Sequence, residues 1–118
     1  MARILVVDDE PMISLLLEDW LDELGYEAVG PARTVAAALA LIGSKPPDAA
    51  IVDVTLGRET GYPIAERLTE LGIPFVFATG QAEGTLQAPF TDAPMLSKPF
   101  DFAAVEAAVA RMLEKPSG

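Results

Sequence analysis

Three short apolar runs each stop abruptly at polar residues, and this pattern limits the folds open to the chain. Ile4-Leu5-Val6-Val7 stops at Asp8-Asp9, Ala49-Ala50-Ile51-Val52 stops at Asp53, and Pro74 to Ala78 stops at Thr79-Gly80. Unbroken apolar runs of this length, rich in β-branched residues, suit strands covered on both faces. Such strands belong to parallel sheets sandwiched between helices.

The intervening stretches read as those helices. Pro11 suits a first helical turn, Ile13, Leu16, Leu17, Trp20 and Leu24 form an apolar stripe, and Gly25 ends it. Tyr26 to Val29 reads as a short second strand. Thr34 can cap a second helix running through Val35, Leu39 and Ile42, with Gly43 after it. Lys45-Pro46-Pro47 and Leu56 to Thr60 read as loops. Gly61 and Pro63 lead into a third helix with Ile64, Leu68 and Leu71 inward, closed by Gly72. Between Gln81 and Ala93 the pattern is poor: Gly84 and Pro89 break it, and Leu86 and Phe90 are its buried-looking residues. A helix there would be short and marginal. Met95-Leu96 is a fifth strand, and Asp101 can cap a last helix with Phe102, Val105, Val109 and Met112 on one face. The order βαβαβαβ(α)βα predicts an α/β fold, a doubly wound parallel sheet with right-handed crossovers. No repeat or linker interrupts it, so residues 1–118 are expected to form one domain, without an output domain after the short polar tail Lys115 to Gly118.

Composition narrows the function. The 118 residues carry 18 acids against 8 Lys and Arg, a net charge of −10, which argues against nucleic-acid binding because nothing would neutralise phosphates along a duplex. No run of eighteen apolar residues is present, and Ile4 to Val7 is too short for a signal peptide, so no membrane span and a cytoplasmic location are expected. There are no cysteines and no histidines. Disulfides, thiolate sites, histidine triads and most zinc sites are excluded, and the chain cannot itself carry phosphohistidine. Its chemistry must run on carboxylates, hydroxyls, lysine, arginine and backbone.

Five polar residues stand at or just past apolar strand ends: Asp8, Asp9, Asp53, Thr79 and Lys98. In an open parallel sheet the carboxyl ends share one edge, where ligands bind. Each residue alone has an ordinary reading as a cap, turn or solvated group; their convergence is the informative feature. Carboxylates sharing a pocket repel by roughly 4 kcal/mol per pair at 4 Å and an effective dielectric of 20. Lys98 offsets one charge, and a divalent cation would balance the rest. With oxygen ligands on offer, that cation is Mg²⁺ or Mn²⁺ rather than Zn²⁺. A carboxylate can attack phosphorus to give an aspartyl phosphate, with the cation, Lys98 and the Thr79 hydroxyl as partners for the phosphoryl oxygens. There is no G-x-x-x-x-G-K-[ST] or G-x-G-x-x-G loop, so ATP bound by this chain is not the expected donor.

These residues resemble the receiver domains of two-component response regulators. The resemblance rests on V-D-D-E-P at Val7 to Pro11, I-V-D-V-T-L at Ile51 to Leu56 with Gly61 following, A-T-G at Ala78 to Gly80, and S-K-P-F at Ser97 to Phe100. Each motif is weak alone; their order and spacing are specific and cover the whole chain. The resemblance implies a flavodoxin-like sheet of order 2-1-3-4-5 flanked by five helices. It implies Asp53 as phospho-acceptor, Asp9 as a direct Mg²⁺ ligand, Asp8 holding a metal-bound water, and the Thr55 carbonyl as a third protein ligand. It implies Thr79 as switch hydroxyl, Lys98 as partner of the phosphoryl group, and Pro99 as a cis-proline. The donor would be a histidine kinase or histidine phosphotransfer protein, and the partner downstream a protein of unstated kind. The chain would be a signalling module rather than an enzyme with an external substrate. F-A-T-G at Phe77 to Gly80 also resembles the "FATGUY" receivers of alphaproteobacteria, often single-domain, although Gln81-Ala82 does not continue that match.

Two residues depart from the family pattern. Gly57 sits where many receivers have proline, and Met95 sits three residues before Lys98, where an aromatic switch residue is usual. Phosphorylation is expected to order the segment from Gln81 to Ala93. Two alternatives compete with the receiver reading. One is a Mg²⁺-dependent phosphatase of the haloacid-dehalogenase type, disfavoured because Asp8-Asp9-Glu10-Pro11 lacks the D-x-D spacing. The other is a degenerate receiver that binds partners without phosphorylation, disfavoured because the five site residues are intact.

Overall fold

The computed structural model describes residues 1–80, 86, 87, 89–91 and 93–114. Chain order runs β1 (Arg3–Val7), α1 (Pro11–Glu23), β2 (Glu27–Ala32), α2 (Val35–Ser44), β3 (Ala49–Asp53), a small hairpin of β4 (Thr55–Leu56) and β5 (Glu59–Thr60), α3 (Tyr62–Glu70), β6 (Phe75–Thr79), β7 (Met95–Ser97) and α4 (Phe102–Leu113). The main sheet has five strands in the order β2-β1-β3-β6-β7, paired in parallel throughout. With the hairpin set aside, this is the expected 2-1-3-4-5 order of a flavodoxin-like fold.

The unbroken apolar runs have a direct packing cause. Alternate residues of each strand feed two separate cores. Leu5, Val7, Ala50, Val52 and Phe77 face one, with Ile42 of α2 and Ile64 and Leu68 of α3. Ile4, Val6, Ile51, Val76 and Ala78 face the other, with Leu17 and Leu21 of α1 and Val105 and Val109 of α4. Both strand faces must therefore be apolar. The expected caps form: Thr34 Oγ1 accepts from the Ala37 amide at 3.1 Å, and Asp101 Oδ1 from the Ala104 amide at 2.8 Å.

Several details differ from the sequence reading. Four helices lie among the described residues, against five expected. The marginal helix between Gln81 and Ala93, with its expected ordering on phosphorylation, falls in part outside the described residues. The second strand continues past Val29 to Ala32, because a register shift between Leu5 and Val7 takes up Gly30-Pro31 at the edge. Gly30 has φ +102° and lies so close to the β1 backbone that a Cβ would stand 3.0 Å from the Val6 oxygen. The stretch expected as a loop from Leu56 to Thr60 forms, with Thr55, the β4–β5 hairpin, and the Glu59 carboxylate accepts from the Val35 amide at 3.0 Å at the start of α2. On α1 the buried stripe is Ser14, Leu17 and Leu21, while Leu16 is exposed. Leu39 and Leu71 are also exposed, the small Ala38 taking the inward position on α2 and Leu71 lying just past the end of α3. Trp20 is half-buried rather than enclosed, its ring set edge-on against Phe100 and Phe102. Among the described residues, no helix is long and apolar enough to cross a membrane.

Candidate functional site

Sheet register assembles the site. Val7 pairs with Val52, so the residues that follow, Asp8 and Asp53, leave neighbouring strands side by side. Asp53 pairs with Ala78 and Thr79 with Ser97, which brings the Thr79 hydroxyl and Lys98 to the same edge. The Lys98 amide donates to the Thr79 carbonyl at 2.8 Å. The Lys98–Pro99 peptide is cis, as the resemblance implied. A cleft of about 410 Å³ opens here, lined by Asp9, Glu10, Asp53, Thr55, Gly57, Thr79, Gly80 and Lys98.

Lys98 is the hub of the pocket. Its Nζ donates to Asp53 Oδ2 at 2.9 Å and to Glu10 Oε1 at 2.9 Å, and lies 3.2 Å from Asp8 Oδ2. The free oxygens are tied to backbone: Asp53 Oδ1 accepts from the Thr55 amide at 3.0 Å, and Asp8 Oδ1 from the Glu10 amide at 2.8 Å. Asp8 and Asp53 are buried, as is Thr79. All five strand-end residues singled out in the sequence therefore meet, and Thr55 joins them through its amide. Asp8 Oδ2 is buried, and its contact with Lys98 is an ion pair without an aligned hydrogen bond.

Carboxylate oxygens of Asp8, Asp9, Glu10 and Asp53 can all lie within 4.8 Å of one another. One ammonium against these four carboxylates leaves about three formal negative charges. The donors are hard oxygens, and Asp8 Oδ2 is poorly satisfied, so the set fits a divalent hard cation.

Burial pushes the Asp8 carboxyl above its usual value; the Glu10 amide opposes this, and the Asp53 charge adds to it. Burial of Lys98 works against its charge, but its hydrogen bonds to Asp53 and Glu10, with the attraction of Asp53 and Asp8, outweigh that and raise its pKa. For Asp8 the sign follows from linkage. Its folded pKa lies above the ordinary 3.8, so its contribution to stability is full below that pH and is lost as pH rises through the folded value. Chemical denaturation in chelator at stepped pH is expected to show wild type losing stability above pH 3.8 more steeply than Asp8→Asn. Equal slopes would contradict this.

Two residues of the site, Glu10 and Gly61, stand in the sequence motifs without an assigned role. Glu10 holds Lys98 from the exposed rim; its signal was a third consecutive acid. Gly61 is buried, and a Cβ there would fall on the Asp53 carbonyl and 2.7 Å from Val52 Cγ1. Gly61→Ala is expected to cost about 1–3 kcal/mol in denaturant melts, as overpacking does, and to displace the loop after Asp53. A melt within about 0.3 kcal/mol of wild type would contradict that close approach.

A five-stranded doubly wound sheet with an acidic pocket and one lysine at its carboxyl edge places this chain among the flavodoxin-like α/β domains. More narrowly, it belongs to the response regulator receiver domain family, which it matches over residues 4–110. It is similar to SdrG of Sphingomonas melonis Fr1, whose solution structure is 45% identical with a TM-score of 0.84, covering 97% of this chain and 98% of that one. The BeF3-activated conformation of SdrG is similar with a TM-score of 0.81 at 45% identity, over 95% of this chain and 96% of that one. LytT of Bacillus subtilis, a sensory transduction protein, is 35% identical over 108 residues, 86% of this chain and 44% of LytT. The chain spans about half the length of such curated relatives. Its class is that of two-component response regulators, a signalling domain rather than a classical enzyme.

Proposed function

We propose that this chain is a phosphorylation switch, working as one receiver domain over residues 1–118 and accepting a phosphoryl group on Asp53. The donor is the phosphohistidine of a histidine kinase or histidine phosphotransfer protein, and the setting is the cytoplasm. An Asp53 carboxylate oxygen bonds to phosphorus as the phosphorus–nitrogen bond breaks; the imidazole leaves with the electron pair and takes up a proton from solvent. Lys98 turns from Glu10 and Asp8 toward the new phosphoryl oxygens. The Thr79 hydroxyl donates to another, and the changed surface alters partner binding.

Asp9, Asp53 and the Thr55 carbonyl would hold Mg²⁺ directly, with Asp8 holding it through water. When bound, Mg²⁺ neutralises the carboxylates and the incoming phosphoryl charge. The single observation that carries this reading is the Lys98 ammonium 2.9 Å from Asp53 Oδ2 in an open cleft that also presents Asp9, Thr55 and Thr79.

Incubation with acetyl phosphate, followed by intact mass, tests the reading. One phosphoryl adduct per chain is expected with Mg²⁺ and none with chelator. Multiple turnover of small phosphate esters would instead support the phosphatase alternative. No adduct from acetyl phosphate, phosphoramidate or a phosphorylated histidine phosphotransfer protein would support the phosphorylation-independent one.

A further inference from the structure

Tyr62 is the first residue of α3 and makes contacts on both sides of the site. On one side it follows Gly61, which lies against the Asp53 carbonyl and whose amide donates to the Val54 carbonyl at 2.8 Å. On the other, its hydroxyl accepts from the Gln87 amide at 3.0 Å. Its ring stacks on Phe90, with centroids 5.9 Å apart and planes 14° apart. It also packs edge-on against Phe77 at 5.5 Å, two residues before Thr79 on β6. Beyond Gln87 the contacts continue: the Phe90 amide donates to the Gln87 carbonyl at 2.8 Å, and the Ala93 amide to the Phe90 carbonyl at 3.0 Å. The Pro94 carbonyl then accepts from Phe77 at 3.0 Å. Met95, the first residue of β7, packs against this same core without an aromatic ring of its own.

We propose that Tyr62 is the positioning residue that carries the state of Asp53 to the exposed Gln87 and the buried Phe90 ring. The inference rests on phosphorylation of Asp53. A phosphoryl group on Asp53 adds bulk and charge beside the loop that ends at Gly61, and it recruits Thr79. Both disturbances reach Tyr62, one along the backbone through Gly61 and one through Phe77. A hydroxyl–amide bond and a stacked ring pair either hold or break, so a small shift at α3 becomes a discrete change at Gln87 and Phe90.

The test compares wild type, Tyr62→Phe and Tyr62→Leu as full chains, each with acetyl phosphate and Mg²⁺. Intact mass reads the adduct, and amide NMR with hydrogen exchange reads Thr55, Lys98, Gln87 and Phe90. In unmodified Tyr62→Phe, exchange at Gln87 is expected to quicken about fivefold to tenfold, because its acceptor is gone. In Tyr62→Leu the adduct and the shifts at Thr55 and Lys98 should persist, while the phosphorylation-dependent shifts at Gln87 and Phe90 fall by more than half. A phosphorylated Tyr62→Leu with wild-type shifts at Gln87 and Phe90 overturns the coupling alone. Should Tyr62→Leu not fold, unchanged Gln87 exchange and an unchanged Gln87 response in Tyr62→Phe overturn it. No adduct on wild type overturns the phosphorylation reading and the coupling with it.

Discussion

Asp53→Asn is expected to lose phosphoryl acceptance by a factor on the order of 10⁴ or more while keeping the fold. The carboxamide is nearly isosteric, and its oxygen can still accept from the Thr55 amide, as Asp53 Oδ1 does at 3.0 Å. Lys98 keeps Glu10 at 2.9 Å and Asp8 at 3.2 Å. What disappears is the nucleophile, because an amide oxygen at that position does not form a stable bond to phosphorus. Intact mass over a time course with acetyl phosphate and Mg²⁺ measures the loss. Adduct formation at the wild-type rate would place the acceptor elsewhere in the pocket.

Phe77→Ala is expected to cost about 3–5 kcal/mol, a large share of the stability of a domain this size. Phe77 is fully buried at the centre of β6. It meets Tyr62, Phe75 and Phe90 edge-on, with centroids 5.2 to 5.7 Å apart. Alanine would leave a cavity among the three remaining rings that the flanking strands, paired on both sides of β6, cannot close. Thermal unfolding is expected to fall by roughly 15 °C or more. Leu39→Ala, on the exposed face of α2, is expected to stay within about 0.5 kcal/mol and serves as the control. A fall of only a few degrees for Phe77→Ala would mean that the ring cluster repacks.

How far each feature was legible in the sequence follows from how local its cause is. The apolar runs before Asp8, Asp53 and Thr79 are local, and strand register alone carries those residues to one edge. Lys98 followed in the same way from the short β7. The rotation of α1 was not local: Leu15, Leu16, Leu17 and Leu21 allow two offset stripes, and packing against β1 and α4 selects Leu17 and Leu21. The length of β2 depends on the register shift that admits Gly30-Pro31. The hairpin needs Glu59 to meet the start of α2, 24 residues away in sequence. The Tyr62–Gln87 bond likewise spans 25 residues and needs the finished sheet to exist. Glu10 was visible as an acid but acquired its role from Lys98, 88 residues on.

The same lysine sets Asp53 apart from the other acids of the pocket, its Nζ donating to Asp53 Oδ2 at 2.9 Å. Lys98 faces Asp53 directly, whereas Asp9 lies on the rim with Glu10 and Asp8 is tied to the turn that follows it. Reduction of the phosphorylated protein with sodium borohydride, followed by peptide mass mapping, tests the assignment most directly, because an aspartyl phosphate is reduced to homoserine while an unmodified aspartate is untouched. Homoserine is expected in place of Asp53, with Asp8 and Asp9 intact. Homoserine in place of Asp8 or Asp9, or a full phosphoryl adduct that yields no homoserine at all, would contradict it.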